Sequence, residues 1–242
     1  MALWEGGHPY RLDPATLDTV GSYSYGGQLR FFDTLCAHGK IDPRTGRYYS
    51  FGVRLTSRGF VTKLYEVSPQ GFLVRRGEFR VGAHPFVHDF ALTDKRMVFF
   101  VSPLAMKGLI PHALGLTTFD PALAYVPEEG LRIVIVRLVD FVVERTIDIE
   151  PFFVAHFGNA WEEGDDLVVD LVRFEDFGVD NAMRDILHSR GHQGGRLSGG
   201  SCGAPPVVDA RTLARKRGAC AHGLQTPSPL PRPRPNATSV RA

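Results

Sequence analysis

The chain has 242 residues, about one domain's worth, with 28 Lys and Arg against 26 Asp and Glu and a net charge of +2. That sum joins two unlike parts: residues 186–242 hold nine basic groups, one acid and no aromatic residue, while residues 1–185 are net −6 and hold all 17 Phe, 7 Tyr and 2 Trp. An acidic body has no bulk field to attract nucleic acid, and runs such as Met97–Val101 are far too short to span a membrane.

Met1–Gly7 has neither a basic n-region nor an apolar h-region, so no signal peptide is visible. Short apolar or alternating stretches separated by Gly, Pro and Asp then run through the body, the pattern of an all-β protein. Strands are predicted at Leu29–Asp33, Tyr48–Leu55, Val61–Val67 and Phe72–Phe79, then at Met97–Val101, Leu131–Leu138, Val143–Ile149 and Leu167–Val172. Turn clusters lie between them, at Asp42–Gly46, Ser68–Gly71 and Glu162–Asp166. Glu162, Glu163, Asp165 and Asp166 read as a solvated turn rather than a calcium site. Thr62–Val67 and Gly71–Arg76 read as the arms of a hairpin. Helical periodicity is poor, and only Asn181–Leu187 suggests a short helix. Strands at this spacing fit a sandwich, a barrel or a propeller, and periodicity does not choose between them.

Residues 186–242 form a second region. Gly194–Gly203 is Gly/Ser-rich, Arg215–Arg217 is basic and Pro227–Pro235 is Pro/Arg-rich. Such a segment cannot bury enough surface to offset chain entropy, so a disordered C-terminal tail is expected. Its composition is also what an out-of-frame reading of GC-rich DNA would give. Cys36, Cys202 and Cys220 are too few for a disulfide framework. A cytoplasmic location is the default expectation.

None of the nine histidines is paired at the spacing of a helical metal site. Three share a setting, beside small, acidic or amide residues near strand edges: His38-Gly39-Lys40, His88-Asp89-Phe90 and His156-Phe157-Gly158-Asn159. Separations of 50 and 68 positions bring them together only if separate strand units converge on one axis, as propeller blades do. His188, His192 and His222 have no strand-like surroundings.

At these residues the sequence resembles the carotenoid cleavage oxygenases. His38–Gly46, His88–Thr93 and His156–Glu163 are similar to three of that family's histidine motifs in order, and Leu3-Trp4-Glu5-Gly6-Gly7 is similar to its opening motif. The resemblance runs from residue 2 to about residue 178. It implies a seven-bladed β-propeller, of which residues 1–185 would supply about three blades. It also implies one non-haem Fe(II) held by His38, His88 and His156 plus a fourth histidine, with Glu5 as a carboxylate behind the ligands. Neutral imidazoles suit Fe(II), and a carboxylate on the second ring N–H orients them. The implied reaction is cleavage of a C=C bond of a carotenoid, apocarotenoid or lignostilbene-type stilbene by O₂, giving carbonyl products. Phe153 and Trp161 are candidates to line the tunnel for the apolar substrate, and Leu104–Leu116 for peripheral membrane contact.

The chain departs from the pattern at Gly39, where Pro is usual, and at Arg47, where Glu is common. The fourth histidine motif and the later Glu residues have no counterpart here, so impaired activity is expected. Two other readings compete. One is a non-catalytic β-sheet fragment or interaction domain. The other is a three-histidine zinc hydrolase with Glu5 as base.

Overall fold

The computed structural model describes residues 1–82, 86–108, 110–111, 114–116, 122–164 and 166–178, and the backbone of Val207–Asp209. The described chain is nearly all β. A small sheet pairs β1 (Tyr10–Leu12) with β2 (Thr19–Ser22). The next sheet is an antiparallel meander of β3 (Lys40–Ile41), β4 (Tyr48–Thr56), β5 (Gly59–Val67) and β6 (Leu73–Gly82). A second meander runs β7 (Ala91–Leu92), β8 (Arg96–Val101), β11 (Leu131–Arg137), β12 (Val143–Ile149). Between its second and third strands the chain inserts a ribbon, β9 (Leu104–Met106) with β10 (Leu123–Tyr125). A third sheet pairs β13 (Phe153–Glu163) with β14 (Asp166–Phe174), and β15 (Val207–Asp209) adds to the far side of β14. Four-stranded meanders stacked face to face are propeller blades, so the expected all-β, part-propeller architecture holds.

Burial explains why the middle meander reads as a continuous apolar run. On β8, Met97, Phe99 and Val101 face Phe51, Leu64 and Phe79 of the preceding sheet. Val98 and Phe100, in alternation, face Phe152, Val154 and Leu171 of the next one. The neighbouring β11 divides the same way, with Val134 and Val136 on one side and Leu131, Ile133 and Ile135 on the other. A strand covered on both faces loses the polar alternation of a half-exposed one. The outer β12 instead presents Glu144, Arg145 and Asp148, charges that discourage pairing with a foreign edge.

One buried carboxylate sits in the wall between the first two meanders. Glu66 is 1% exposed. It pairs with Arg47, and its Oε2 lies 3.2 Å from Nη1 of Arg75. Arg75 also donates to the Leu138 carbonyl at 3.0 Å, tying the pair to the next sheet. The departure at Arg47 thus supplies a partner to a buried acid. Glu66→Ala leaves two guanidinium groups facing each other. It is expected to cost about 2–3 kcal/mol, less than a fully buried pair because both arginines reach solvent. Urea unfolding followed by tryptophan fluorescence measures this.

Seven of the eight expected strands form, and the hairpin expected from Thr62–Val67 and Gly71–Arg76 pairs, with Val67 opposite Leu73 and Tyr65 opposite Arg76. Leu29–Asp33 does not: Asp33 N–H donates to the Arg30 carbonyl at 2.8 Å, while its carboxylate accepts the Arg30 N–H at 2.9 Å. That closes a turn and leaves Phe31 and Phe32 exposed. The short strands β1, β2, β3, β7, β9, β10 and β15, and the long β13, were not expected, and β15 falls within the tail expected to be disordered. Glu162 is also not a solvated turn residue. At the end of β13 it meets Lys95 and Arg96, each at 2.9 Å, and accepts from Thr93 Oγ1 at 3.0 Å. The expected helix at Asn181–Leu187 and all of the expected tail except Val207–Asp209 lie outside the described residues.

Candidate metal centre

Each stacked sheet delivers one histidine from its innermost strand or the residues leading into it. His38 precedes β3 by two residues, His88 precedes β7 by three, and His156 lies in β13. The His38 segment is fixed at both ends of the approach. Leu35 bridges Trp4, and the Cys36 N–H donates to the Phe51 carbonyl at 2.7 Å. His156 sits in a bulge: Val154 pairs with Arg173 and Phe157 with Leu171, so Ala155 and His156 together oppose Val172. The extra residue re-aims the strand's side chains, which is why this segment lacks a clean alternation.

The three rings converge. Ring centroids are 4.6 Å apart for His38–His88, 4.8 Å for His38–His156 and 4.9 Å for His88–His156. One nitrogen from each lies within 4.8 Å of the others, and Nε2 of His38 is 3.1 Å from Nε2 of His88. Two ligands at right angles on one ion, with bonds of about 2.1 Å, have nitrogens about 3 Å apart. His38 and His88 therefore have the spacing of two ligands on one divalent ion, and His156 stands within 4.8 Å as the third donor. Burial pushes the His88 imidazole below its usual value, the nearby Glu5 opposes this, and His38 and His156 reinforce it. A neutral ring keeps a lone pair free to bind metal.

Carboxylates stand around the rings. Glu5 Oε1 lies 3.8 Å from His38 Nε2 and 3.7 Å from His88 Nδ1, so one acid faces two rings from different sheets. Asp89 Oδ2 lies 3.9 Å from His156 Nδ1. Cys36 sits behind the cluster. Its thiol donates to the His88 carbonyl at 3.1 Å, and its sulfur accepts the His38 N–H at 3.2 Å. Burial pushes this thiol up to about 12, so it stays protonated and keeps donating. Sequence reasoning assigned no role to Asp89 or Cys36. The signal for Asp89 was an acid directly after a histidine, in a segment otherwise apolar.

Phe153 is buried within an aromatic cluster, 5.5 Å from Phe86 and 4.9 Å from Phe177 between centroids. Phe86 in turn stacks on His88 at 5.9 Å and 14°. Trp161 lines a different cavity of about 490 Å³ with Lys40, Pro43, Leu92 and Asn159, and none of the three histidines borders it. Gly39 packs against Tyr48, whose Oη would lie 2.0 Å from a Cβ at that position. The ring of Tyr48 thus fills the space a proline would need. His188, His192 and His222 lie outside the described residues.

The sequence matches the family described as retinal pigment epithelial membrane protein over residues 1–206. The chain belongs to the carotenoid cleavage oxygenase family. This member is 33% identical over 178 residues to apocarotenoid-15,15'-oxygenase of Synechocystis, covering 71% of this chain and 36% of that protein. It is 32% identical over 172 residues to lignostilbene-alpha,beta-dioxygenase isozyme III of Sphingomonas paucimobilis, covering 68% and 33%. Its fold matches the crystal structure of cobalt-substituted Synechocystis apocarotenoid oxygenase with TM-score 0.64 and 32% identity, covering 72% of this chain and 37% of that one. This oxygenase-family chain thus spans about a third of the length of the relatives it matches.

Proposed function

We propose that the chain carries the histidine centre of an iron-dependent oxygenase that cleaves a C=C bond of a carotenoid or apocarotenoid with O₂ to give carbonyl products. The observation that carries this reading is the convergence of His38, His88 and His156, one from each of three consecutive sheets, with donor nitrogens within 4.8 Å. These three would hold Fe(II), which supplies the ability to bring O₂ to an alkene when bound. Glu5 sets a negative charge beside both rings, 3.8 Å from His38 Nε2 and 3.7 Å from His88 Nδ1, and on His88 this favours a proton on Nδ1 with Nε2 left to bind metal. Asp89 sets a second negative charge 3.9 Å from His156 Nδ1. The cluster of Phe86, Phe153 and Phe177 presents an apolar wall beside His88, suited to holding a conjugated hydrocarbon and excluding water.

A stilbene substrate is the second reading. It is favoured because the relative named as lignostilbene-alpha,beta-dioxygenase is about as similar as the apocarotenoid oxygenase, at 32% and 33% identity. Exposed Ile110, Leu114 and Leu116, within the stretch Leu104–Leu116, support peripheral contact with an apolar surface.

The test is Fe(II) loading under argon, followed by exposure to air with an apocarotenal or a stilbene. One iron per chain and loss of the polyene absorbance with an aldehyde product are expected. Loss of stilbene absorbance alone selects the second reading. A chain that stays iron-free after soaking overturns both and leaves a non-catalytic β fragment.

A further inference from the structure

Asp89 connects three segments that the sequence keeps far apart. Its carboxylate is 5% exposed. Oδ1 lies 2.9 Å from Nζ of Lys40 and accepts the N–H of Phe90 at 2.7 Å. Oδ2 accepts the N–H of Phe157 at 3.3 Å and lies 3.9 Å from Nδ1 of His156. Each connection is next to a ligand position. Lys40 follows His38 by two residues, Asp89 follows His88 by one, and Phe157 follows His156 by one. Lys40 Nζ also sits 5.3 Å over the Phe90 ring, so its charge is held on the Asp89 side.

We infer that Asp89, with Lys40 as its counter-ion, is a positioning residue that locks the three histidine-bearing segments to one another, so that the donor set stands assembled before a metal arrives. The inference rests on the metal reading above and adds the device that sets the spacing. Beyond the 3.1 Å contact between the Nε2 atoms of His38 and His88, three imidazoles within 4.8 Å do little to hold one another without an ion, and His156 has no such bond to either. A buried carboxylate satisfied by a lysine and two backbone donors, on three different segments, holds their backbones together directionally. The Cys36 hydrogen bonds reinforce the His38–His88 side of the same arrangement. Pre-assembly matters because ordering three strands at the moment of binding would be subtracted from metal affinity.

The experiment uses the full 242-residue chain, with Co(II) as the probe, since the Synechocystis relative is known in a cobalt-substituted form. Titration calorimetry and visible absorption are recorded for wild type, Asp89→Asn and Lys40→Met, with unfolding temperature alongside. Asp89→Asn is expected to weaken Co(II) by about 10- to 100-fold and to alter its visible band. Lys40→Met leaves the carboxylate and removes only its link to the first histidine segment. It is expected to weaken Co(II) less and serves as the reading if Asp89→Asn does not fold. Variants with lower unfolding temperature but wild-type affinity and band overturn the positioning role. A wild type that binds no Co(II) overturns the metal reading itself, an outcome distinct from equal binding by wild type and variants.

Discussion

Replacing His88 by Ala is expected to lower Co(II) affinity by about 100-fold or more, beyond the loss typical for groups that merely support a ligand. His88 occupies the centre of the constellation. Its Nε2 faces that of His38 at 3.1 Å, its Nδ1 faces Glu5 at 3.7 Å, and Phe86 stacks on its ring. Its removal leaves two donors, on the first and third sheets, with a gap where the second sheet contributed. His8→Ala is the control, because His8 bonds only to the Arg30 carbonyl and, loosely, to Ser22. Calorimetric titration of both variants decides the matter: equal affinities for the two would sink the three-histidine centre.

Gly52→Ala is expected to be the most damaging Gly→Ala substitution among the described residues. A Cβ there would lie 1.9 Å from the Thr34 carbonyl oxygen and 2.6 Å from its carbon, both backbone atoms. Nothing flexible can yield. Thr34 is itself pinned, its Oγ1 accepting the Val53 N–H at 2.9 Å, and the adjacent Cys36 N–H is bonded to Phe51. The strain must displace residues 34–36 away from β4, at a cost of about 3 kcal/mol or more. His38 follows directly, so the lost stability should be accompanied by weaker Co(II) binding. Urea denaturation gives the first quantity and calorimetry the second. An unchanged midpoint would contradict the close approach.

The long strands were legible because their chemistry is local. β4, β5, β6, β8, β11, β12 and β14 are rich in branched and aromatic residues and bounded by turn formers, which is what a strand requires of its own sequence. Strands of two to four residues carry no period, and β3 and β7 exist only because a longer neighbour offers them partners. The failure at Leu29–Asp33 has the opposite cause, a side chain capping its own turn where apolar content suggested a strand. The candidate site was legible as three histidines and one glutamate, through motif resemblance. Asp89 and Cys36 were not, because their role lies in bonds to segments 52 and 68 positions away. Trp161 shows the converse: proximity to His156 in sequence did not place it with the histidines, since strand alternation and a bulge intervene.

The middle sheet, covered on both faces, also bears on the order of assembly. The hairpins β4–β5–β6 and β11–β12 join strands that follow one another closely and can form early, whereas β8 and β11 pair only across the inserted residues 102–130 and close later. Stacking β8 and β11 between their neighbours then joins the sheets through side chains on alternating faces. The histidine cluster needs all three sheets and is complete only when the last has docked. A divalent ion in the medium therefore cannot guide the early steps of folding. Held by all three histidines, it would bind the finished stack and withdraw that state from the equilibrium, which would make metal loading a reporter of whether the final docking has occurred.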